Sequence, residues 1–415
     1  MKIGEVARKY GISMDSLRYY IKEGLLVPEG SARYSRYEFR SRDLEDLEII
    51  LRMKEEQFPI KSILTLLTMR RTSNMIEPHT LDRVVALYAG HRRFLKDEIN
   101  KYDKALKLLA EDESRLPARG FSARAQTGVP LRALKLLRCP VCEGTLRLDR
   151  GELDSQYIYS GTLYCGCGRS LPIKEGIIET GNLYIGKYDR PDLKRELITE
   201  IIGPFVKHLQ KGMDEVDRFL ERKSKGAGVI METHLNGLFY AYNHLDNIAD
   251  DALYIAVDRY PEMLREYKRL LESMGVTRDF LFIADNSMNL PIQKHSVDIL
   301  VNCMSDNEYC LYNTGSYIGE MSPFLKADSE VVGIILSFNK NTRSQQLIHR
   351  NYPEGHEMPY SRKLYEAQYK NEGFDLTLRS KGVIRESEHK GRFVWSCHVR
   401  GDEMDISFIH AKRCR

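Results

Sequence analysis

The sequence predicts a multidomain chain, α-helical at its start and α/β at its end, and three observations carry that prediction. Its 415 residues are more than one ordinary core organises. Four of its eight cysteines crowd into residues 139–167, so they mark off a small region of their own. From about residue 190 onward, apolar β-type runs alternate with helical patterns, the signature of a mostly parallel sheet covered by helices. The expected division is a helix-turn-helix with a β wing over 1–75, a long coiled-coil helix over 78–115, a linker over 116–134, a cysteine-bounded ribbon over 135–185 and a Rossmann-like domain over 190–415.

Composition narrows the function classes. The chain has 63 Lys and Arg against 59 Asp and Glu, a net charge of +4, which excludes a chain-wide polycation and sends the search for a nucleic-acid surface to local stretches. Residues 1–42 hold nine basic residues against five acids. The start MKIGEVARKYGIS has no apolar h-region and no eighteen-residue apolar run follows, so secretion and membrane spanning are not expected and a cytoplasmic location is. Eight cysteines in so long a chain do not make a disulfide framework.

In the first element, IGEVARKYGISMDSLRYYIKEGLLVP, a helix over Ile3–Lys9 is followed by a turn at Gly11 and a second helix opened by Ser13, whose hydroxyl can accept from the exposed amides of the next turn. The spacing points Asp15, Ser16, Arg18 and Tyr19 outward and Met14, Leu17 and Ile21 inward, and Gly24 stops the helix. Two helices so related can lay the second in a major groove. The words LRYY and EGLL, the Arg/Tyr-rich ARYSRYEFR and the helix pair RDLEDLEIILRMKEEQFPIKSILTLL closely resemble the MerR family of regulators over about seventy residues. The resemblance implies double-stranded promoter DNA as partner and a wing that touches phosphate. It assigns DNA contact to Arg18, Tyr19, Arg33, Arg36, Tyr37 and Arg40, and the outward position of Ser16 on the second helix adds it to the DNA-binding set.

Next, apolar residues recur every seven positions at Leu81, Tyr88, Leu95, Tyr102 and Leu109, with Val85, Ile99 and Leu106 between them and His91 and Glu98 at the edge. This is a helix-pairing seam. Within the chain it would pack on its own domain; by the MerR resemblance it forms an antiparallel coiled coil in a homodimer, presenting two heads to a pseudo-palindromic operator.

In the third element Cys139-Pro-Val-Cys142 and Cys165-Gly-Cys167 are separated by a span long enough for a hairpin. Two close thiol pairs on two turns can close a tetrahedral zinc site, and four cysteines leave no open position for catalysis, so the zinc is expected to be structural. Reduced structural thiols are the alternative. The words CPVCEGTLRL and LYCGCGRSLPIKEGI resemble the small zinc ribbons found beside methyltransferases.

The last region reads helix (about 190–222), strand GVIMET, helix, strand LYIAVD, helix PEMLREYKRLLESM, strands FLFIAD, VDILVN and EVVGIIL, and an antiparallel pair near FVWSCHV and DISFIHA. With ADNSMNLPIQKHSVDILVN at its centre it resembles class I S-adenosylmethionine-dependent methyltransferases. The resemblance places a cofactor, S-adenosylmethionine or another small ligand, against Glu232, His234, Asn236, Gly237, Asp258, Asp285 and Asn302. It fails at His234 and Asn236, which stand where glycines let a backbone approach the ligand. Asp258 and Asp285 fit equally as caps of the helices that follow. No catalytic constellation stands out. The expectation is therefore a ligand-responsive, DNA-binding transcriptional regulator whose methyltransferase-like domain binds a small-molecule effector. An active methyltransferase with a DNA-binding head is the alternative, and a cysteine-based redox or metal sensor a third reading.

Overall fold

The computed structural model describes residues 1–31, 36–116, 125–184, 190–194, 203–235, 237–276, 278–339, 341–385 and 398–414, with backbone alone at Ser31 and Arg36. It divides into two compact units, Met1–Arg119 and Gly120–Arg415.

The first unit runs α1 (Ile3–Tyr10), α2 (Met14–Lys22), β1 (Glu29–Ser31), β2 (Arg36–Glu38), α3 (Ser41–Glu55), α4 (Ile60–Thr72) and α5 (Pro78–Arg115). Gly11 ends α1 at φ 65°, a left-handed conformation that costs glycine nothing. Ser13 opens α2 as its spacing predicts, its Oγ accepting from the Ser16 N–H at 3.0 Å. Val6, Leu17, Leu25, Phe39, Leu47 and Ile50 form the core. Met14, expected inside, is 45% exposed, because the first residue of a helix projects beyond the apolar stripe that begins at Leu17. Arg71 of α4 ties the exit of α2 to α3: it pairs with buried Asp46 at 2.7 Å and donates to the carbonyls of Gly24 at 3.1 Å and Leu25 at 2.6 Å. β1 and β2 pair antiparallel as the wing. Helix α5 spans Pro78–Arg115, and His91 anchors its first half through a 2.8 Å bond to the Glu56 carbonyl and stacking on Phe58.

The second unit contains β3 (Val129–Pro130), β4 (Arg147–Leu153), β5 (Tyr157–Tyr164), β6 (Ser170–Lys174), β7 (Ile177–Glu179), α6 (Gly203–Lys223), β8 (Val229–Thr233), α7 (Tyr240–Asn243), β9 (Leu253–Asp258), α8 (Pro261–Ser273), β10 (Phe280–Ala284) and β11 (Val297–Cys303). It continues with α9 (Ser305–Tyr312), α10 (Tyr317–Met321), β12 (Leu325–Phe338), α11 (Arg343–Asn351), α12 (Arg362–Asn371), β13 (Phe374–Ile384) and β14 (Met404–Arg413). One sheet takes in every strand of this unit among the described residues, in the order β13-β14-β12-β11-β8-β9-β10-β7-β6-β5-β3, with β4 on β5. Strands β12, β11, β8, β9 and β10 are parallel, and the chain reverses strand order on either side of β8. In a doubly wound sheet that switch point, at the carboxyl ends of the strands, is where a ligand crevice forms.

Both faces of this sheet are covered. Tyr254, Ala256, Phe280 and Phe282 pack into one apolar cluster, while their neighbours Ile255, Val257, Leu281 and Ile283 pack into the other. Two-sided burial is why these strands read as unbroken apolar runs. Two boundaries differ from expectation. The linker expected over 116–134 is shorter, because Val129–Pro130 pairs with β5 and Thr127 bonds Glu272 at 2.7 Å. The partner of the last strand is β13, a polar alternating strand, whereas most of the FVWSCHV segment lies outside the described residues.

Candidate functional site

Three places carry the chemistry. On the head, α2 shows solvent an outer face with Arg18 and Tyr19 exposed and Arg18 held by Asp15 at 2.9 Å. Ser16 Oγ lies 2.8 Å from Ser13 Oγ, so it helps to fix the start of the helix. Tyr37 of the wing is packed in part against the head's core, and exposed Arg40 pairs with Glu29 across the hairpin. Arg33 lies outside the described residues, and for Arg36 only the strand position is described.

The four cysteines converge. Their sulfurs lie within 4.8 Å of one another, with Cys139–Cys167 at 3.5 Å and Cys142–Cys165 at 3.4 Å. A zinc ion with thiolate bonds of about 2.3 Å needs sulfurs about 3.8 Å apart, so the set fits one. A backbone hydrogen bond from Gly144 favours the Cys142 thiolate, but the crowding of Cys165 and Cys167 outweighs it and pushes the pKa up to about 12. Four thiolates in this space therefore need a cation. A side chain at Gly144 would crowd the site, since a Cβ there would meet the sulfurs of Cys142 and Cys165 at 3.2 Å. The first knuckle is bolted to the loop after β10: Arg138 N–H donates to the Pro291 carbonyl at 3.0 Å and Asn289 to the Pro140 carbonyl at 3.3 Å.

At the switch point, β8 ends in a turn whose backbone behaves as glycine would. His234 has φ 59°, and its N–H reaches the Val257 carbonyl at 2.9 Å. Its ring is buried between the edges of Tyr309 and Tyr317, with Nδ1 2.8 Å from Thr233 Oγ1. Burial, helped by the charge of Arg259, lowers its pKa to about 3, so it is neutral at ordinary pH. Arg259 follows Asp258 at the end of β9. It is 4% exposed, pairs with Glu308 and lays its guanidinium 3.6 Å from the centre of the Tyr312 ring, with Tyr260 and Tyr184 at 5.0 and 5.1 Å. Burial opposes this charge, yet Glu308 and the tyrosines more than compensate and hold it firmly protonated.

The acids divide by what they bond. The Glu232 carboxylate accepts from the Tyr240 N–H at 2.7 Å, the Ala241 N–H at 3.3 Å and the Tyr254 hydroxyl at 2.6 Å, capping α7 from within the core. Burial outweighs these bonds and raises its pKa to about 7. Asp258 accepts from the Tyr260 N–H at 2.8 Å. Asp285 accepts from Thr180 at 2.5 Å and the Ser287 N–H at 2.8 Å, and burial raises its pKa against those bonds. Asn302 donates to Asp306 at 2.6 Å and Tyr369 at 2.9 Å.

Residues 1–69 match the MerR HTH family regulatory protein domain. The chain carries a MerR-type helix-turn-helix at its N-terminus. A curated relative, an uncharacterized HTH-type transcriptional regulator of Haemophilus influenzae, is 29% identical over 105 residues, which are 25% of this chain and 75% of the relative. Among solved structures, geranyl diphosphate C-methyltransferase from Streptomyces coelicolor A3(2) is similar at 15% identity and TM-score 0.37, over 56% of this chain and 91% of that one. A SAM dependent methyltransferase from Aquifex aeolicus is similar at 11% identity and TM-score 0.35, over 53% and 99%.

Around this MerR-type head and α/β unit, the sequence-expected residues fall into two groups. The turn after β8 and the ends of β9 and β10 bring His234, Asp258 and Asp285 to one edge of the sheet, with Gly237 just beyond and open on its Cα. Glu232 and Asn302 instead serve buried networks, and Asn236 lies outside the described residues. The Arg259–Glu308 pair was missed, because an Arg one residue after a strand-ending Asp reads as the polar start of a helix. The signal was present in the unusual supply of tyrosines around it, at 184, 260 and 312.

Proposed function

We propose that this chain is a dimeric, DNA-binding transcription regulator whose head reads double-stranded promoter DNA and whose α/β unit responds to a small-molecule effector without transferring methyl groups. The observation that carries the reading is the exposed Arg18–Tyr19 face of α2, set within a head that matches MerR regulators over 1–69. Arg18 and Tyr19, with Ser16 beside them, meet the groove; Arg33, Arg36, Tyr37 and Arg40 serve the wing on the flanking phosphates. The exposed Leu81–Leu109 seam of α5 pairs with a second copy, and the four cysteines hold a structural zinc. An effector acts only through different affinities for two shapes of the dimer, transmitted along α5. His234 and Arg259, which fill the strand ends where a cofactor would need open backbone, support a sensing domain over an enzyme. No helix among the described residues is long and apolar enough to cross a membrane, in keeping with a DNA-binding role.

The test is fluorescence anisotropy with the chain's own promoter region against scrambled DNA of equal length. Arg18→Ala should remove the preference for promoter DNA, at a cost of about 1–3 kcal/mol if it reads a base. Arg40→Ala should weaken both DNAs alike. Equal affinity of the unaltered chain for the two DNAs would overturn the reading.

A further inference from the structure

A second concave site lies away from the switch point, where α6 crosses the antiparallel end of the sheet. It is a groove of about 370 Å³ between α6 and strands β12, β13 and β14. Four Lys or Arg residues line it, Arg218, Arg222 and Lys223 from α6 and Arg379 from β13, against two acids, Glu215 and Glu330. Both acids are already engaged. Glu330 pairs with Lys223 at 2.8 Å and lies 2.7 Å from His410 Nε2, and although burial opposes it, its hydrogen bonds to these two side chains lower its pKa. Glu215 pairs with Arg379 at 2.6 Å and with Lys381.

That leaves Arg218 and Arg222 without an ion pair among the described residues. Four residues apart on one helix, they face the same way and repel each other. The negative end of the α6 dipole accounts for Arg222 and Lys223 in the last turn. It does not account for Arg218 one turn earlier, and on the opposite wall Arg379 shares the single carboxylate of Glu215 with Lys381, which leaves one positive charge in excess there. Arg379 is held in place, its guanidinium 4.8 Å from the centre of the buried Phe408 ring. Guanidinium forks on both walls, one of them pre-set on an aromatic ring, match the oxygens of a phosphate. The volume exceeds a bare phosphate and falls in the lower range of small-molecule pockets.

We propose that this groove binds a phosphorylated small molecule of about mononucleotide size, with the phosphate held between Arg218, Arg222 and Arg379. The site is independent of the DNA-reading function and goes beyond it. None of its residues lies at the strand ends around His234.

Titration calorimetry of the full chain at 0.15 M salt, with AMP, glucose 6-phosphate and pyrophosphate as probes and adenosine as the uncharged control, tests it. At least one phosphorylated probe binds once per chain and adenosine does not. The affinity falls tenfold or more in Arg218→Ser/Arg222→Ser and is recovered in part by Arg218→Lys/Arg222→Lys, which keeps the charge and loses the fork. Silence from all three phosphorylated probes, or binding that the serine variant leaves unchanged, overturns the proposal. So does a serine variant that keeps its probe binding and loses affinity for DNA, which would make nucleic acid the occupant. Promoter binding by the serine variant should equal that of the unaltered chain, so a failed groove and a failed DNA-reading head give different results.

Discussion

Two buried groups two positions apart at the end of β8 pull the pH dependence of stability in opposite directions. The folded-state pKa of His234 is lowered from 6.5 to about 3, so the stability tied to its neutral ring is complete above pH 6.5 and is lost as pH falls toward 3. The pKa of Glu232 is raised from 4.5 to about 7, so its contribution is most favourable below pH 4.5 and is lost as pH rises through 7. Between pH 4.5 and 6.5 the two slopes oppose each other, and below that window only the His234 slope remains. Replacing the imidazole in His234→Gln should expose the other term. The stability advantage of the unaltered chain over this variant should shrink by about 1.4 kcal/mol per pH unit on going from pH 6 to pH 4. Urea unfolding at several pH values measures it, and two parallel stability curves would show that His234 does not titrate as a buried neutral ring. The left-handed backbone at His234 makes the same point about function: the turn keeps the shape a glycine would give it, and the space above that turn is taken by a side chain.

Helix α5 leaves most of its seam in solvent. Val85, Tyr102, Leu106 and Leu109 are each about 60% exposed on a helix of 38 residues, an apolar row that a monomer gains nothing by displaying. Leu106→Asp/Leu109→Asp should therefore halve the mass seen by sedimentation and weaken promoter binding with it, and a dimer that survives both charges would place the interface elsewhere. The cysteine turns yield a second prediction at this scale. The intact chain should carry about one zinc, and Cys142→Ser should lose it and loosen amide protection in residues 285–293, because the first knuckle is bonded to that loop at Pro291 and Asn289. Metal analysis and hydrogen exchange read the two effects. Elements with one dominant signal were legible in advance: the cap at Ser13, the heptads of α5, the cysteine pairs, and β8 to β11, whose two-sided burial leaves apolar runs. The polar, alternating β13 sits at an edge and has no such run. The joining of β7 to β10 by backbone pairing leaves no side-chain signature, so the ribbon read as a separate region. The pairing of Arg259 with Glu308 spans 49 positions, and its two residues meet only once α9 is docked against the end of β9.

For the molecule as a whole, the question is whether a MerR-type head is joined to an enzyme or to a sensor, and charge and space bear on it together. S-adenosylmethionine carries a positive sulfonium, and a crevice that takes it must offer open backbone at the turn after β8 and must tolerate that charge. Here the turn carries an imidazole, and the neighbouring strand end already holds a buried guanidinium whose acid partner, Glu308, it neutralises. A second cation brought against Arg259 would find that acid already taken, in a site with little water to replace it. Asp258 and Asp285 stay at the adjoining strand ends as acceptors, so an uncharged ligand with hydroxyl or amine groups is not refused on the same grounds. Calorimetry of the full chain with S-adenosylmethionine should show no binding at millimolar ligand, and a micromolar affinity would restore the enzyme reading. Variants separate the two causes. His234→Gly opens space and leaves the guanidinium; Arg259→Gln/Glu308→Gln removes both charges together, which avoids leaving one buried ion unpaired. If space alone bars the cofactor, the first variant gains affinity; if charge does, only the second gains it, and gain in neither would mean that the crevice recognises a different class of molecule.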